Sequence, residues 1–338
     1  MVIIYFVGLF IHVFHRLKVQ WLWVSVTFWA IDRSLRTLRL VWLNIPCRHF
    51  RRGCSKAEIT YLSDDVIRVK VAVAQPWNYL PGQSVYLYFP TLRYGFWQSH
   101  PFSILNRTEE YLDTKSGDEG RREVNELENR QDQQTAFTTE DGDKSFESPL
   151  LPAKTHHNNR KEKYFHFLVK AQTGLTRRLR DMALSNNSCH LTTFVEGPYG
   201  VSHKFDNFTT VLFISGGVAV TFTMSHLVYL AEKKSRNPGL KVKQVHHVWV
   251  VRKQEDIAWI SEELDQISQL TLPNNFLRMS FYVSQGIMDI NQQIPVPKLG
   301  NAKCEILPRR ADVPRVISDE AQERLGKMAV VGLVLPLL

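Results

Sequence analysis

The tetrapeptide His100-Pro101-Phe102-Ser103 has residue types suited to holding a redox-active ring. An isoalloxazine needs an aromatic or apolar surface against one face, which Phe102 offers. It needs a hydrogen-bond partner near N5, where electrons and hydride pass, and the Ser103 hydroxyl is one. A pyrophosphate needs donors, and His100 is a candidate. Taken alone, the four residues read equally well as a His-Pro turn entering a strand. A second set, Gly216-Gly217-Val218-Ala219-Val220-Thr221, follows the apolar run Val211–Ile214. Glycines here let backbone N–H groups approach a pyrophosphate. Ala219 stands where a further glycine is commoner. The third set is Gly174-Leu175-Thr176 with Arg177 and Arg178. A glycine followed by threonine at a helix start leaves N–H groups and a positive dipole end facing out, which suits phosphate. An ordinary capped helix is the alternative. Arg252 and the pair Arg309-Arg310 can hold a 2′-phosphate and so favour NADPH, or stand as solvated surface charges.

These sets need a scaffold, and the hydrophobic pattern supplies one. From Lys56 the pattern has period two: Ile67, Val69, Val71 and Val73 share one face, with Arg68 and Lys70 between them. Val85–Phe89 is β-branched and aromatic, and Pro81-Gly82 marks a turn between the two runs. Short strands with turns predict an antiparallel barrel over 56–205. Tyr164–Lys170 is a further strand, and Glu196-Gly197-Pro198-Tyr199-Gly200 reads as the turn that closes the barrel. The stretch 108–163 is rich in Glu, Asp, Gln, Asn, Thr and Lys, and reads as a disordered insertion. From 206 to 338 the pattern alternates. Strand Thr209–Ser215 leads into a helix from about Phe222 to Ala231. Val245–Val251 is a strand, Ile257–Leu270 a helix, and Phe281–Ser284 a strand. That alternation predicts a parallel sheet with ligand at the strand carboxyl ends.

The chain has 338 residues, is 44% hydrophobic and carries a formal charge of +9. Residues 1–55 hold eight Lys/Arg and one acid, Asp32, so most of that charge sits beside an apolar N-terminus. No nucleic-acid module is visible, and a basic run after apolar segments suits anionic lipid on the cytoplasmic face of a membrane. Cys47, Cys54, Cys189 and Cys304 are scattered and suggest no zinc site. Residues 1–14 and 21–31 are apolar, each shorter than a full span. They predict a membrane hairpin over 1–45 with the first helix partial. Trp21, Trp23 and Trp29 would lie at the interface and Arg33, Arg36 and Arg39 inside. A signal peptide lacks its basic start and cleavage site here. His12 and His15 are candidate haem-iron ligands, since imidazole is a common axial ligand; an interfacial histidine bonded to water is the alternative.

Taken together and in this order, the segments resemble the fungal ferric reductase family, related to the NADPH oxidases. WLWVSVTFWAIDRSLRTLRL at 21–40 resembles that family's last transmembrane helix. Pro81-Gly82-Gln83 and His100-Pro101-Phe102-Ser103 resemble its FAD motif, and Gly174-Leu175-Thr176 its second flavin-phosphate element. Glu196–Gly200 resembles the domain junction, Gly216–Thr221 the NADPH loop, and Arg310-Ala311-Asp312-Val313 a Gly-Arg-Pro-Asp element with Gly and Pro replaced. The resemblance implies a fold of FAD barrel and α/β NADPH domain, like that of ferredoxin reductases. FAD contacts would be His100, Pro101, Phe102, Ser103, Lys170, Gly174, Leu175 and Thr176, with Ser103 at the reacting atoms. NADPH contacts would be Gly216, Gly217, Val218, Thr221, Arg252 and Arg310. It implies hydride passing from NADPH to FAD and single electrons passing to haem b, with His12 or His15 as a ligand. The acceptors would be ferric or cupric chelates outside a plasma membrane whose lipid surrounds the N-terminus. The family continues past Val331 into a Cys-Gly-Pro loop, where this chain reads Gly332-Leu333-Val334-Leu335-Pro336-Leu337-Leu338. Poor, diaphorase-like hydride transfer is the expectation from that difference. A superoxide-producing oxidase and a non-catalytic flavin-binding remnant are the competing readings.

Overall fold

The computed structural model describes residues 2–14, 19–44, 55–73, 77–92, 98–111, 161–186, 188–285 and 300–333. It forms two compact units, Met1–Thr108 with Tyr164–Leu338, and Glu109–Lys163. Most of the segment expected to be a disordered insertion lies outside the described residues, as do His15, Cys47 and Cys54.

Two helices open the chain, α1 (Val2–Phe14) and α2 (Val19–Asn44). Phe6 of α1 meets Trp29 of α2 with ring centroids 6.1 Å apart. Ile3, Tyr5, Trp21, Trp23, Phe28 and Trp42 are all exposed. Among the described residues no helix is long and apolar enough to cross a membrane.

The flavin half is built of antiparallel strands. The period-two run becomes β2 (Val66–Ala72), paired with β1 (Lys56–Tyr61) and with β6 (Lys161–Lys170). With β5 (Asn106–Tyr111) and β7 (Ser188–Thr192) they form a sheet of order β5-β6-β2-β1-β7. A second sheet has the order β4-β3-β8, from β4 (His100–Ser103), β3 (Ser84–Tyr88) and β8 (Phe194–Tyr199). Among the described residues the expected barrel is thus two antiparallel sheets over one apolar cluster. Ile59, Ile67, Val69, Val85, Leu87, Phe165 and Phe167 fill that cluster. Helix α3 (Leu175–Asn186) closes it by burying Leu175, Leu179 and Ala183.

One expected turn is a strand. Glu196-Gly197-Pro198-Tyr199 belongs to β8, because Gly197 lies flat against β3, where a Cβ would come within 2.7 Å of Val85 Cγ1. The turn comes one residue later, at Gly200, whose φ is +91°.

The nucleotide half has a parallel sheet of order β12-β11-β10-β9-β13. Its strands are β9 (Thr210–Gly216), β10 (Gln244–Val251), β11 (Leu277–Val283), β12 (Lys303–Leu307) and β13 (Met328–Leu333). β9 is buried along its whole length, as a central parallel strand covered on both faces must be. The helix after it, α4 (Val220–Arg236), is longer than the pattern predicts. The helix expected at Ile257–Leu270 divides into a 3₁₀ stretch, Gln254–Ile260, and α5 (Ser261–Ser268). The 3₁₀ start is fixed by Asp256, whose carboxylate accepts from the Lys253 N–H at 3.0 Å. Helix α6 (Val313–Glu323) begins at Asp312, which accepts from the Arg315 N–H at 3.2 Å.

Candidate functional site

The glycine turn is the best-defined part of the site. β9 runs into Gly216, and Gly217 turns with φ +53°, a conformation that suits glycine. A Cβ on Gly217 would meet nothing within 4 Å, so the turn opens onto free space. Trp249 of β10 donates its indole N–H to the Gly217 carbonyl at 3.0 Å and pins the turn. No side chain caps the 3₁₀ turn Gly217–Ala219 that follows or the start of α4, and the Val220 N–H is bonded within the turn to the Gly217 carbonyl. Thr221 is used locally: its hydroxyl donates to the Val218 carbonyl at 3.0 Å.

Because the sheet is parallel, the carboxyl ends of its strands share one edge. Gly216 ends β9, Arg252 follows β10, and Arg310 follows β12 on that edge. β9 and β10 are adjacent, and β12 lies two strands beyond β10, roughly 10 Å away at normal strand spacing. The chain order reverses about β9, with β10 on one side and β13 on the other, which is where ligands sit in such sheets.

In the flavin half, β4 lies along β3 with Ser103 opposite Ser84 and Phe102 opposite Val85. Phe102 is half-buried against the apolar cluster. The His100 and Phe102 ring centroids are 6.4 Å apart, and Pro101 is exposed. The half-buried Ser103 hydroxyl has no hydrogen bond to another described residue. Lys170 ends β6 exposed, shortly before Gly174. Gly174 has φ +65°, and a Cβ placed on it would meet nothing within 4 Å. Its carbonyl accepts the first bond of α3 from the Arg178 N–H. Leu175 points into the core, so only its backbone is offered outward. Thr176 is partly spent, since its hydroxyl accepts from the Gln172 N–H at 3.1 Å and donates to the Thr173 carbonyl at 3.3 Å.

One contact joins the two motifs. The Gly82 N–H donates to Ser225 Oγ of α4 at 3.1 Å. A Cβ on Gly82 would sit 2.7 Å from His226 Nε2 and 3.0 Å from Phe222. Gly82 leads into β3, the partner of the Ser103 strand, and α4 grows from the Gly217 turn. One helix therefore holds the flavin strands and the glycine turn together. His226 stands there among Phe205, Phe213 and Phe222, and burial pulls its pKa down to about 4.

The third feature was not legible as such in the sequence. β8 is the edge of its sheet, and α2 covers that edge. The buried Asn44 side chain donates to the Val195 carbonyl at 2.9 Å and accepts from the Val195 N–H at 2.7 Å, in the manner of a paired strand. Arg39 donates to the Gly197 carbonyl at 3.1 Å, and Arg36 pairs with Glu196 at 2.9 Å. Tyr88 and Tyr199 donate to the same carboxylate at 2.5 and 2.6 Å. Burial pushes Glu196 up, but these hydrogen bonds outweigh it and hold the carboxyl below its ordinary range. Tyr199 is pushed up to about 12 by burial and by Glu196. A cavity of about 520 Å³ lies between α2 and the strands, lined by Arg33, Arg36, Arg39, Tyr86, Glu196 and Tyr199 among others.

The open space at Gly217 and Gly174, the uncapped start of α4 and the unpartnered Ser103 hydroxyl fit a nicotinamide nucleotide and a flavin nucleotide. His12, the candidate haem ligand that lies among the described residues, is exposed on α1.

Two domain families match the sequence: an FAD-binding domain over residues 51–116 and the ferric reductase NAD binding domain over residues 208–294. A probable ferric reductase transmembrane component of Candida albicans is 24% identical over 290 residues, which is 84% of this chain and 32% of that protein. A probable cell surface ferric reductase of Aspergillus oryzae is 27% identical over 267 residues, 78% of this chain and 29% of its own. A ferric/cupric reductase transmembrane component of Saccharomyces cerevisiae is 23% identical over 236 residues, 69% and 25% respectively. The chain thus spans about a third or less of the curated relatives it matches. The FAD/NAD-binding domain of a Vibrio cholerae nitric oxide dioxygenase overlays with a TM-score of 0.43 at 12% identity, covering 84% of this chain and all of that one, too loosely to add to the fold described above.

Proposed function

We propose that this chain, which belongs to the ferric reductase family and binds FAD and NAD(P)H, forms the electron-entry module of a membrane metalloreductase. The observation that carries the proposal is the meeting of the two motifs on α4: the turn at Gly82 is seated on the same helix that opens at Gly217. Bound flavin supplies the change from two-electron to one-electron transfer.

The chain's own residues would do the rest. Ser103 offers its hydroxyl to the flavin at N5, and His100, Pro101 and Phe102 support the ring. Gly174 and the backbone of Leu175 and Thr176 face the flavin phosphates, with Lys170 nearby. Gly216, Gly217 and Val218 present N–H groups to the nicotinamide nucleotide's pyrophosphate. Thr221 acts by shaping the turn, since its hydroxyl is bonded to Val218. Arg252 and Arg310 lie on the edge where a 2′-phosphate would favour NADPH. Exposed apolar side chains on α1 and α2 would rest against lipid, because so much apolar surface is unusual on a protein bathed in water. The electron acceptors would be ferric or cupric chelates; the relatives are named ferric/cupric reductases.

The test is chelate reduction by membranes of cells expressing the protein, supplied with NADPH or NADH. Ferric- or cupric-chelate reduction is expected in the parent, at least tenfold lower in Ser103→Ala and Gly217→Val. A parent that bleaches its flavin but reduces neither chelate would refute the acceptor assignment.

A further inference from the structure

Arg68 sits where a sheet would ordinarily show a polar face to water. Along β2, Ile67, Val69 and Val71 turn into the flavin half's own core. Val66 and Arg68 turn the other way, and Val66 joins the core of the nucleotide half. The outer face of this sheet is therefore an interface, and Arg68 crosses it. Its Nη1 donates to Glu262 Oε2 at 2.6 Å and to Glu263 Oε1 at 3.2 Å. Its Nη2 donates to Glu263 Oε2 at 2.8 Å and to the Trp259 carbonyl at 2.8 Å. All of these acceptors come from Gln254–Ser268 of the nucleotide half. The Arg68 side chain is 8% exposed and the Glu263 side chain fully buried.

The groups around this pair make the guanidinium hard to replace. Burial pushes the Glu263 carboxyl up, and the charge and hydrogen bonds of Arg68 oppose that. His166 of β6 lies 3.4 Å from Arg68 Nη1 and 3.5 Å from Glu262. Burial first, then the charges of Arg68 and Lys70, pull it down to about 3, so it stays neutral. His166, Glu262 and Glu263 bring ligand atoms within 4.8 Å of one another, as a metal site would. The guanidinium already occupies that arrangement. Weaker contacts continue the seam: Trp259 Nε1 donates to Ser63 Oγ at 2.7 Å, Ser63 to Asp256 at 3.2 Å, and Asn106 to Gln266 at 2.5 Å.

We propose that Arg68 is a positioning residue for electron exchange between the two nucleotides, its forked contact with Glu263 fixing the flavin half against the nucleotide half. The proposal rests on the FAD and NAD(P)H reading above. A buried ion pair adds little net stability over well-packed apolar side chains of like size, and a registry role is the better-attested reason to keep one. A planar fork fixes direction as well as distance, which a lysine ammonium cannot do. Neither residue touches the groups assigned to the nucleotides. Yet a shift of about 1 Å between reacting atoms costs on the order of a hundredfold in rate.

The decisive variant is the double Arg68→Met/Glu263→Met, which removes the fork and leaves no unpaired buried charge. Arg68→Lys, which keeps the charge, is the companion. Two readouts apply to the full chain. Hydrogen exchange, followed without added nucleotide, should rise at least tenfold at amides 254–266 and in β2 of the double variant, with β9 and β10 unchanged. Anaerobic stopped-flow should show flavin reduction by NADPH slowed at least tenfold in the double variant and in Arg68→Lys. FAD and NADP⁺ binding should stay within twofold of the parent. Parent-like exchange across the seam, or parent-like flavin reduction in the double variant, overturns the proposal. A parent whose flavin NADPH cannot bleach refutes the cofactor reading, and the exchange experiment still decides whether Arg68 fixes the halves.

Discussion

Two arginines tie the flavin half to its neighbours, and their surroundings differ. Arg68 reaches Glu263 across a dry seam, with side-chain exposures of 8% and 0%. Arg36 reaches Glu196 beside a cavity of about 520 Å³, with exposures of 38% and 1%. Both carboxylates are buried, but only Glu196 has hydroxyl donors, Tyr88 and Tyr199, to share its charge. The difference separates two mechanical roles. The seam to the nucleotide half cannot be opened without stranding a charge. The seam to α2 can lose its arginine and keep a carboxylate that two tyrosine hydroxyls still hold. The stiffer attachment is thus the one between the flavin and nucleotide halves, and the attachment to α2 is the more adjustable.

The largest effect should come from Arg68→Met. Stranding the buried Glu263 is expected to destabilise the fold by about 3–5 kcal/mol, read from urea midpoints. A loss below about 1 kcal/mol would make the two seams equivalent. Gly82→Ala should cost about 2–3 kcal/mol by the same measurement, because φ is +81° and the new Cβ would meet His226 at 2.7 Å.

Acid should distinguish the seams next. His166 has a folded pKa of about 3 against an ordinary 6.5, so the unfolded chain binds the extra proton in between. Its contribution is complete above pH 6.5 and falls as pH drops towards 3. The parent should lose about 2 kcal/mol more than His166→Gln between pH 7 and pH 5. Glu196, whose pKa is lowered, contributes above its ordinary 4.5 and loses that contribution only as pH falls through its folded value. Glu196→Gln should therefore leave the pH 7 to pH 5 difference unchanged. The smallest effect belongs to Arg36→Gln. It is expected to cost under about 1 kcal/mol and to fade with added salt, as a partly exposed pair does. The Arg68 variant should be insensitive to salt.

What the sequence made legible was local. The run Val211–Ile214 followed by Gly216-Gly217 shows strand, turn and helix within a few residues, and the structure has β9, the φ +53° turn and α4 there. The period-two face of β2 was equally plain. Arg68, however, reads in that pattern as the polar alternate of a half-exposed strand. Its partners lie 194 and 195 positions away, beyond any periodicity. Glu196-Gly197-Pro198-Tyr199-Gly200 has turn composition, yet Gly197 serves close packing on Val85 within a strand. Arg33, Arg36 and Arg39 recur every third residue and so share roughly one helical face. What that face meets depends on Asn44, which imitates a paired strand along β8 and leaves no mark in composition.

The proposed function stands on one event, electron transfer from a nicotinamide nucleotide to flavin held beside α4. The direct measurement is anaerobic mixing of the FAD-loaded protein with NADPH while the flavin's visible absorbance is followed, with Gly217→Val alongside. NADPH is expected to bleach the parent flavin, and Gly217→Val to hold FAD but bleach at least tenfold more slowly. Flavin that stays oxidised in the parent under excess NADPH and excess NADH would contradict that function.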